Sequence, residues 1–141
     1  MSMRIVVGDW ETLRADAQPV RYDVFVQEQK VPLEMEWDEM DPLCRHAVAY
    51  GDEGKAIATG RLLPDGHIGR MAVRAEKRGQ GIGGTILRAL MDEAKRRGDK
   101  AVMLNAQIHA EPFYTRFGFV REGQEFMEAG IPHIAMRHEF A

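Results

Sequence analysis

Only one cysteine, Cys44, stands in 141 residues. A lone thiol excludes an internal disulfide framework and supplies no metal cluster, so no metal is expected. Cys44 itself reads as a small buried hydrophobe rather than a nucleophile. Long apolar runs are also missing. None approaches a membrane span, and the opening residues MSMRIVVGDWE lack the apolar stretch of a secretory signal. The expectation is a cytoplasmic protein with no membrane partner. Nor does one sign of charge dominate: a formal charge of −3 gives no reason to expect nucleic acid as a partner. Repeats, low-complexity tracts and linkers are lacking too, so residues 1–141 read as one domain, long enough to bury a core.

What is present is an ordinary globular balance, 45% hydrophobic and 29% charged, with the charge unevenly placed. Glu28, Glu34, Glu36, Asp38, Glu39 and Asp41 are met only by Lys30, whereas Arg70, Arg74, Lys77 and Arg78 cluster further on. Taken alone, such runs read as solvated surface. A cationic ligand near the first and an anionic one near the second are the alternatives.

Periodicity gives an element order of strand, helix, three antiparallel strands, long helix, strand, helix and two strands. Residues 3–7 suit a strand, and Asp9 suits a helix cap. From Trp10 to about Gln29 the pattern is helical, with an interruption near Pro19. Tyr22, Phe25, Val26 and Gln29 share one face there, leaving Arg21 and Glu28 elsewhere on the surface. Residues 30–43 read as a loop. Strands follow at 46–50, 56–63 and 67–73, the first two joined by the turn GDEGK. The clearest helix runs over 81–97, with Ile82, Ile86, Leu87, Leu90, Met91 and Ala94 on one face and Gly98 as its stop. A strand at 101–104, a short helix at 110–117 and strands at 119–126 and 134–140 complete an α/β chain with a mixed sheet.

The stretch RGQGIGG, Arg78–Gly84, fits two phosphate-binding spacings. Read from Gly79 it is the G-x-G-x-x-G of a dinucleotide loop. Read from Arg78 it is R-x-x-G-x-G. Both use glycine to let the backbone approach an anion at a helix start. A dinucleotide loop should turn directly out of its strand and be followed, ~20 residues on, by an acid for the ribose. Here the spacer RAEKR intervenes, the later strand reaches Asn105, and too little chain remains for a doubly wound sheet. A nucleotide-dependent oxidoreductase is thereby disfavoured. A P-loop fails as well, because Thr85 stands where Lys is required.

In contrast, MAVRAEKRGQGIGGTIL resembles the central motif of the GNAT superfamily of acyl-CoA-dependent N-acyltransferases. LNAQIHAEPFYTRFGF resembles the superfamily's next motif, and YDVFVQEQKVP and FMEAGIPHIAM look like its ElaA-like, or YjcF-like, branch. The resemblance implies a mixed, mostly antiparallel sheet splayed in the middle and flanked by helices. Acetyl-CoA is then the acyl donor and an amine of a small molecule or peptide the acceptor. The backbone of Met71, Ala72 and Val73 would hold the pantetheine arm. The loop Arg78, Gly79, Gln80, Gly81, Ile82, Gly83 and Gly84 would take the pyrophosphate. Asn105 would contact ligand, with a local turn as the alternative. The Val73 amide would stabilise the oxyanion, and Tyr114 would protonate the departing thiolate, its ordinary pKa of about 10 keeping it protonated at neutral pH.

The base stays open among Glu28, the acids of 34–41, His109, His133 and a water chain, with Glu28 and His133 placed on the acceptor side. The acidic segment suggests a cationic acceptor. Dimers are frequent in the superfamily, so a homodimer is a further expectation. The competing reading is a regulatory module that binds acyl-CoA without turning it over.

Overall fold

Strands β1 (Arg4–Asp9), β2 (Arg45–Tyr50), β3 (Ala56–Leu62) and β4 (Ile68–Val73) pair in that order as one antiparallel sheet. Strands β5 (Ala101–Gln107), β6 (Val120–Glu128) and β7 (Ile131–Glu139) form a second, ordered β5-β7-β6 and also antiparallel. The computed structural model describes residues 3–36 and 38–141; Met1, Ser2 and Trp37 lie outside the described residues. Between the sheets there is an isolated parallel bridge, His67 with Met103, supported by the Met103 N–H bonding Gly66 O at 3.1 Å. Past it, β4 and β5 share no ladder among the described residues. The strands therefore diverge from a common origin, which is the expected splay.

Helices cover both faces. α1 (Trp10–Arg21) starts where Asp9 accepts the Thr12 N–H at 2.8 Å, satisfying one of the amides a helix leaves free at its start. Trp10, Leu13, Ala17 and Val20 recur at helical spacing and are buried. On the opposite side α3 (Ile82–Arg96) buries Ile82, Ile86, Leu87, Leu90 and Ala94. Its core is shared with both sheets: Ala47, Ala58 and Leu62 from the first, Val102, Leu104, Ile134 and Met136 from the second. That shared core holds the diverging sheets in one body. Covered on both faces, β2 and β3 are buried along almost their whole length rather than at alternate residues.

Four expectations change. Pro19 does not interrupt α1 but lies within it. The change of winding falls later, at a π-helical segment, Tyr22–Glu28. The loop of 30–43 contains a helical turn, α2 (Leu33–Glu36), and a 3-10 turn, Asp41–Leu43. β5 runs on to Gln107, so Asn105 sits inside a strand rather than at its end. Finally, Arg21, Glu36 and Asp41 are buried rather than surface, and Asp38 is half-buried.

Arg21 is only 2% exposed. Its Nε donates to Glu36 Oε1 at 2.6 Å, and its Nη1 and Nη2 donate to the two Asp41 oxygens at 2.9 and 3.0 Å. Arg61 on β3 donates to the same Asp41 at 2.9 Å and to Asp38 at 2.7 Å. The imidazole of buried His46 bonds the Asp41 carbonyl at 2.9 Å. Burial is tolerated because each charge meets an opposite one with hydrogen bonds, without which desolvation would win. This cluster ties the end of α1 and the acidic segment to β3. Arg21→Met should cost about 3–5 kcal/mol, since Glu36 and part of Asp41 would stay buried without their partner. Urea denaturation checks it, and a loss below about 1 kcal/mol would show the pairs to be energetically idle.

Candidate active site

The glycine loop follows a 3-10 turn, Ala75–Lys77, and leads into α3. Gly79 and Gly81 hold φ of 80° and 79°, the left-handed region that glycine enters without a side-chain penalty. The first bond of α3 is the Thr85 N–H to Gly81 O at 3.2 Å, so the amides of Ile82, Gly83 and Gly84 precede it at the positive end of the helix. A Cβ on Gly84 would stand 2.8 Å from the Phe117 ring, so glycine there lets the segment after β5 approach α3.

Arg78 turns away from the loop. Its Nε donates to the Val73 carbonyl at 3.0 Å, and its guanidinium makes a two-point pair with Glu28, one bond at 2.7 Å. That pair holds the Glu28 carboxyl below its ordinary range, through the hydrogen bonds first and Arg78's charge second. Glu28 thus faces the glycine loop and is not among the residues lining the cleft described next. The Val73 carbonyl is likewise occupied.

Where β4 and β5 part, a cleft of about 1060 Å3 opens. Met71, Asn105 and Tyr114 line it, as does His133. Met103, Asn105 and Gln107 alternate with the buried Val102, Leu104 and Ala106, so β5 turns its polar residues to the side opposite the core. Tyr114 lies on α4 (Glu111–Thr115), edge-on to Phe113 at 5.0 Å and to Phe119 at 6.1 Å. Burial raises the pKa of its phenol, which therefore keeps its proton well above neutral pH. His109 stays outside the lining.

His133 is 6% exposed and stands opposite Gln107 across the β5–β7 ladder. Its Nδ1 lies 2.7 Å from the Ile131 carbonyl. A carbonyl only accepts, so Nδ1 donates that bond. Nε2 in turn lies 3.6 Å from Glu128 Oε2, and the ring stacks on Phe126 at 5.9 Å. The structure therefore brings together Met71, Asn105, Tyr114 and His133, and sets Glu28 apart with Arg78. The sequence alone did not single out Gln107, Glu128 or Arg70 as lining this cleft. The alternation along β5 would have found Gln107, whereas the other two depend on the fold.

Comparison with known proteins agrees with this architecture. The Acetyltransferase (GNAT) domain family matches residues 14–140. The uncharacterised N-acetyltransferase YjcF of Bacillus subtilis (strain 168) is 41% identical over 138 residues, covering 95% of this chain and 98% of its own. A crystal structure of an acyl-CoA N-acyltransferase from Pseudomonas aeruginosa superposes with a TM-score of 0.87 at 33% identity, over 97% of this chain and 99% of that one. Escherichia coli ElaA gives a TM-score of 0.87 at 27% identity, over 98% and 100%. A chain with this splayed pair of antiparallel sheets and this family match belongs to the GNAT acetyltransferases, which transfer acyl groups from acyl-CoA.

Proposed function

We propose that the protein transfers the acetyl group of acetyl-CoA directly to a primary amine of a small molecule or peptide. The observation that carries this reading is the cleft itself, where the diverging β4 edge, a protonated Tyr114 and the His133 imidazole line one cavity. The amides of the Gly79–Gly84 loop take the pyrophosphate. Backbone groups of Met71–Val73 along the open side of β4 take the pantetheine arm, and Asn105 faces it from β5. Arg78 acts through Glu28 and the Val73 carbonyl, shaping the loop rather than touching phosphate.

An aliphatic ammonium with pKa ~10.4 must lose a proton before it can attack. His133 Nε2 accepts that proton. The imidazolium so formed pairs with the Glu128 carboxylate, which lies 3.6 Å from Nε2. The neutral amine attacks the thioester carbonyl, forming the C–N bond and an oxyanion that the Val73 amide stabilises. Collapse breaks the C–S bond, and the electron pair leaves on sulfur. Tyr114 protonates it, and the surplus proton on the new amide nitrogen restores the phenol.

The test is release of free thiol from acetyl-CoA across a broad amine library. Tyr114→Phe should lower kcat by about 10²–10⁴-fold with acetyl-CoA affinity unchanged; full turnover would remove its role. His133→Gln should lower kcat to a similar degree near neutral pH. Its deficit should shrink as pH approaches the amine's own pKa, and a deficit constant with pH would assign proton removal elsewhere. Gly81→Ala meets no atom within 4 Å but forces alanine to φ 79°. Relief of about 1–2 kcal/mol of strain should distort the loop and weaken acetyl-CoA binding by about tenfold, measured by calorimetry. Unchanged affinity would separate the loop from the donor.

A further inference from the structure

Among the described residues three that are not glycine hold positive φ: Lys30 at 63°, Arg70 at 48° and Ala129 at 53°. All three line the cleft that holds Tyr114 and His133. Strained backbone of this kind persists where surrounding structure enforces it, and it concentrates at ligand sites. Two of the three residues are cationic.

Arg70 lies on β4 where its ladder with β3 slips between Thr59 and Arg61. It is the poorly served member of the ionic cluster. Arg21 and Arg61 hold Glu36, Asp38 and Asp41 at 2.6–3.0 Å. Arg70 approaches Glu36 only to 3.9 Å and Asp38 to 3.5 Å, and reaches the Met35 carbonyl at 3.4 Å. Its Nε is buried with no hydrogen-bond partner among the described residues. Burial lowers the Arg70 pKa, and the charges of Arg61 and Arg21 add to that effect. Taking Arg21, Arg61 and Arg70 against Glu36, Asp38 and Asp41, the acids are already engaged by the first two arginines. The Arg70 guanidinium therefore faces the cleft with only long, shared contacts to carboxylates and no close one of its own.

We propose that the acceptor amine also carries a carboxylate, which Arg70 binds with Lys30 while the amine end lies toward His133 and Glu128. This rests on the acyl-transfer reading above. It reverses the expectation drawn from the acidic run, because Glu36, Asp38 and Asp41 of that run are already held by Arg21 and Arg61, while Lys30 and Arg70 face the cleft. A planar carboxylate suits a guanidinium, and in a partly desolvated cleft the bond is charge-assisted.

Matched amine pairs test it: L-phenylalanine against phenethylamine, L-lysine against cadaverine, β-alanine against ethylamine. The wild-type protein should favour the carboxylated member in kcat/KM by about 10- to 100-fold. Arg70→Gln should bring that ratio close to one by slowing only the carboxylated member, and Arg70→Lys should keep part of it. Equal rates within wild-type pairs, or an Arg70→Gln loss shared by both members, overturns the proposal and leaves acyl transfer standing. Acetyl-CoA binding without thiol release to any amine removes the acyl-transfer reading, and this proposal with it.

Discussion

Strands β4 and β5 meet at the His67–Met103 bridge and then run apart, and this divergence underlies the rest of the molecule. Backbone N–H and C=O groups carry a standing demand for partners. A sheet split through its middle leaves one side of β4 without a neighbouring strand in the heart of the protein. An extended polar ligand answers that demand as a missing strand would. The split must also be held open at fixed width. α3 does this by packing one apolar face against residues of both sheets, so the helix that presents the glycine loop also sets the gap.

The ionic cluster of Arg21, Arg61, Glu36, Asp38 and Asp41 performs the matching task on the other side. Leu33, Met35 and Leu43 of residues 30–43 are exposed and anchor nothing, and short turns alone seldom fix a wall. Buried charge pairs are a demanding way to fix one, since each depends on the others for its desolvation to be offset. What they offer is directionality: a guanidinium accepts carboxylates only in certain planes.

How far the sequence disclosed this depended on whether a feature is local. The apolar stripe of α3, the glycines at 79 and 81 and the aromatic run around Tyr114 are local patterns, and each lies where periodicity placed it. Arg21 looked like surface because its partners lie 15 and 20 residues away, and no periodicity links a helix end to a loop. Asn105 looked like a strand terminus because the polar residues after Leu104 mimic a turn. They are instead the cleft-facing half of an alternating strand. The left-handed backbone of Lys30 and Arg70 left no trace, because only glycine or asparagine advertises that conformation.

The π-helical segment Tyr22–Glu28 carries a consequence of its own. A wider turn is equivalent to one extra residue in an α-helix, and each α-helical residue turns the chain by ~100°. Within this one segment Phe25 faces the cleft while Glu28 reaches Arg78 of the glycine loop, with Gln29 back at the cleft directly afterwards. Removing a residue to restore regular winding would rotate everything beyond it by about that angle and turn Glu28 away from Arg78. The segment thus sets the angular phase between the glycine loop and the cleft, through its winding rather than through any one side chain.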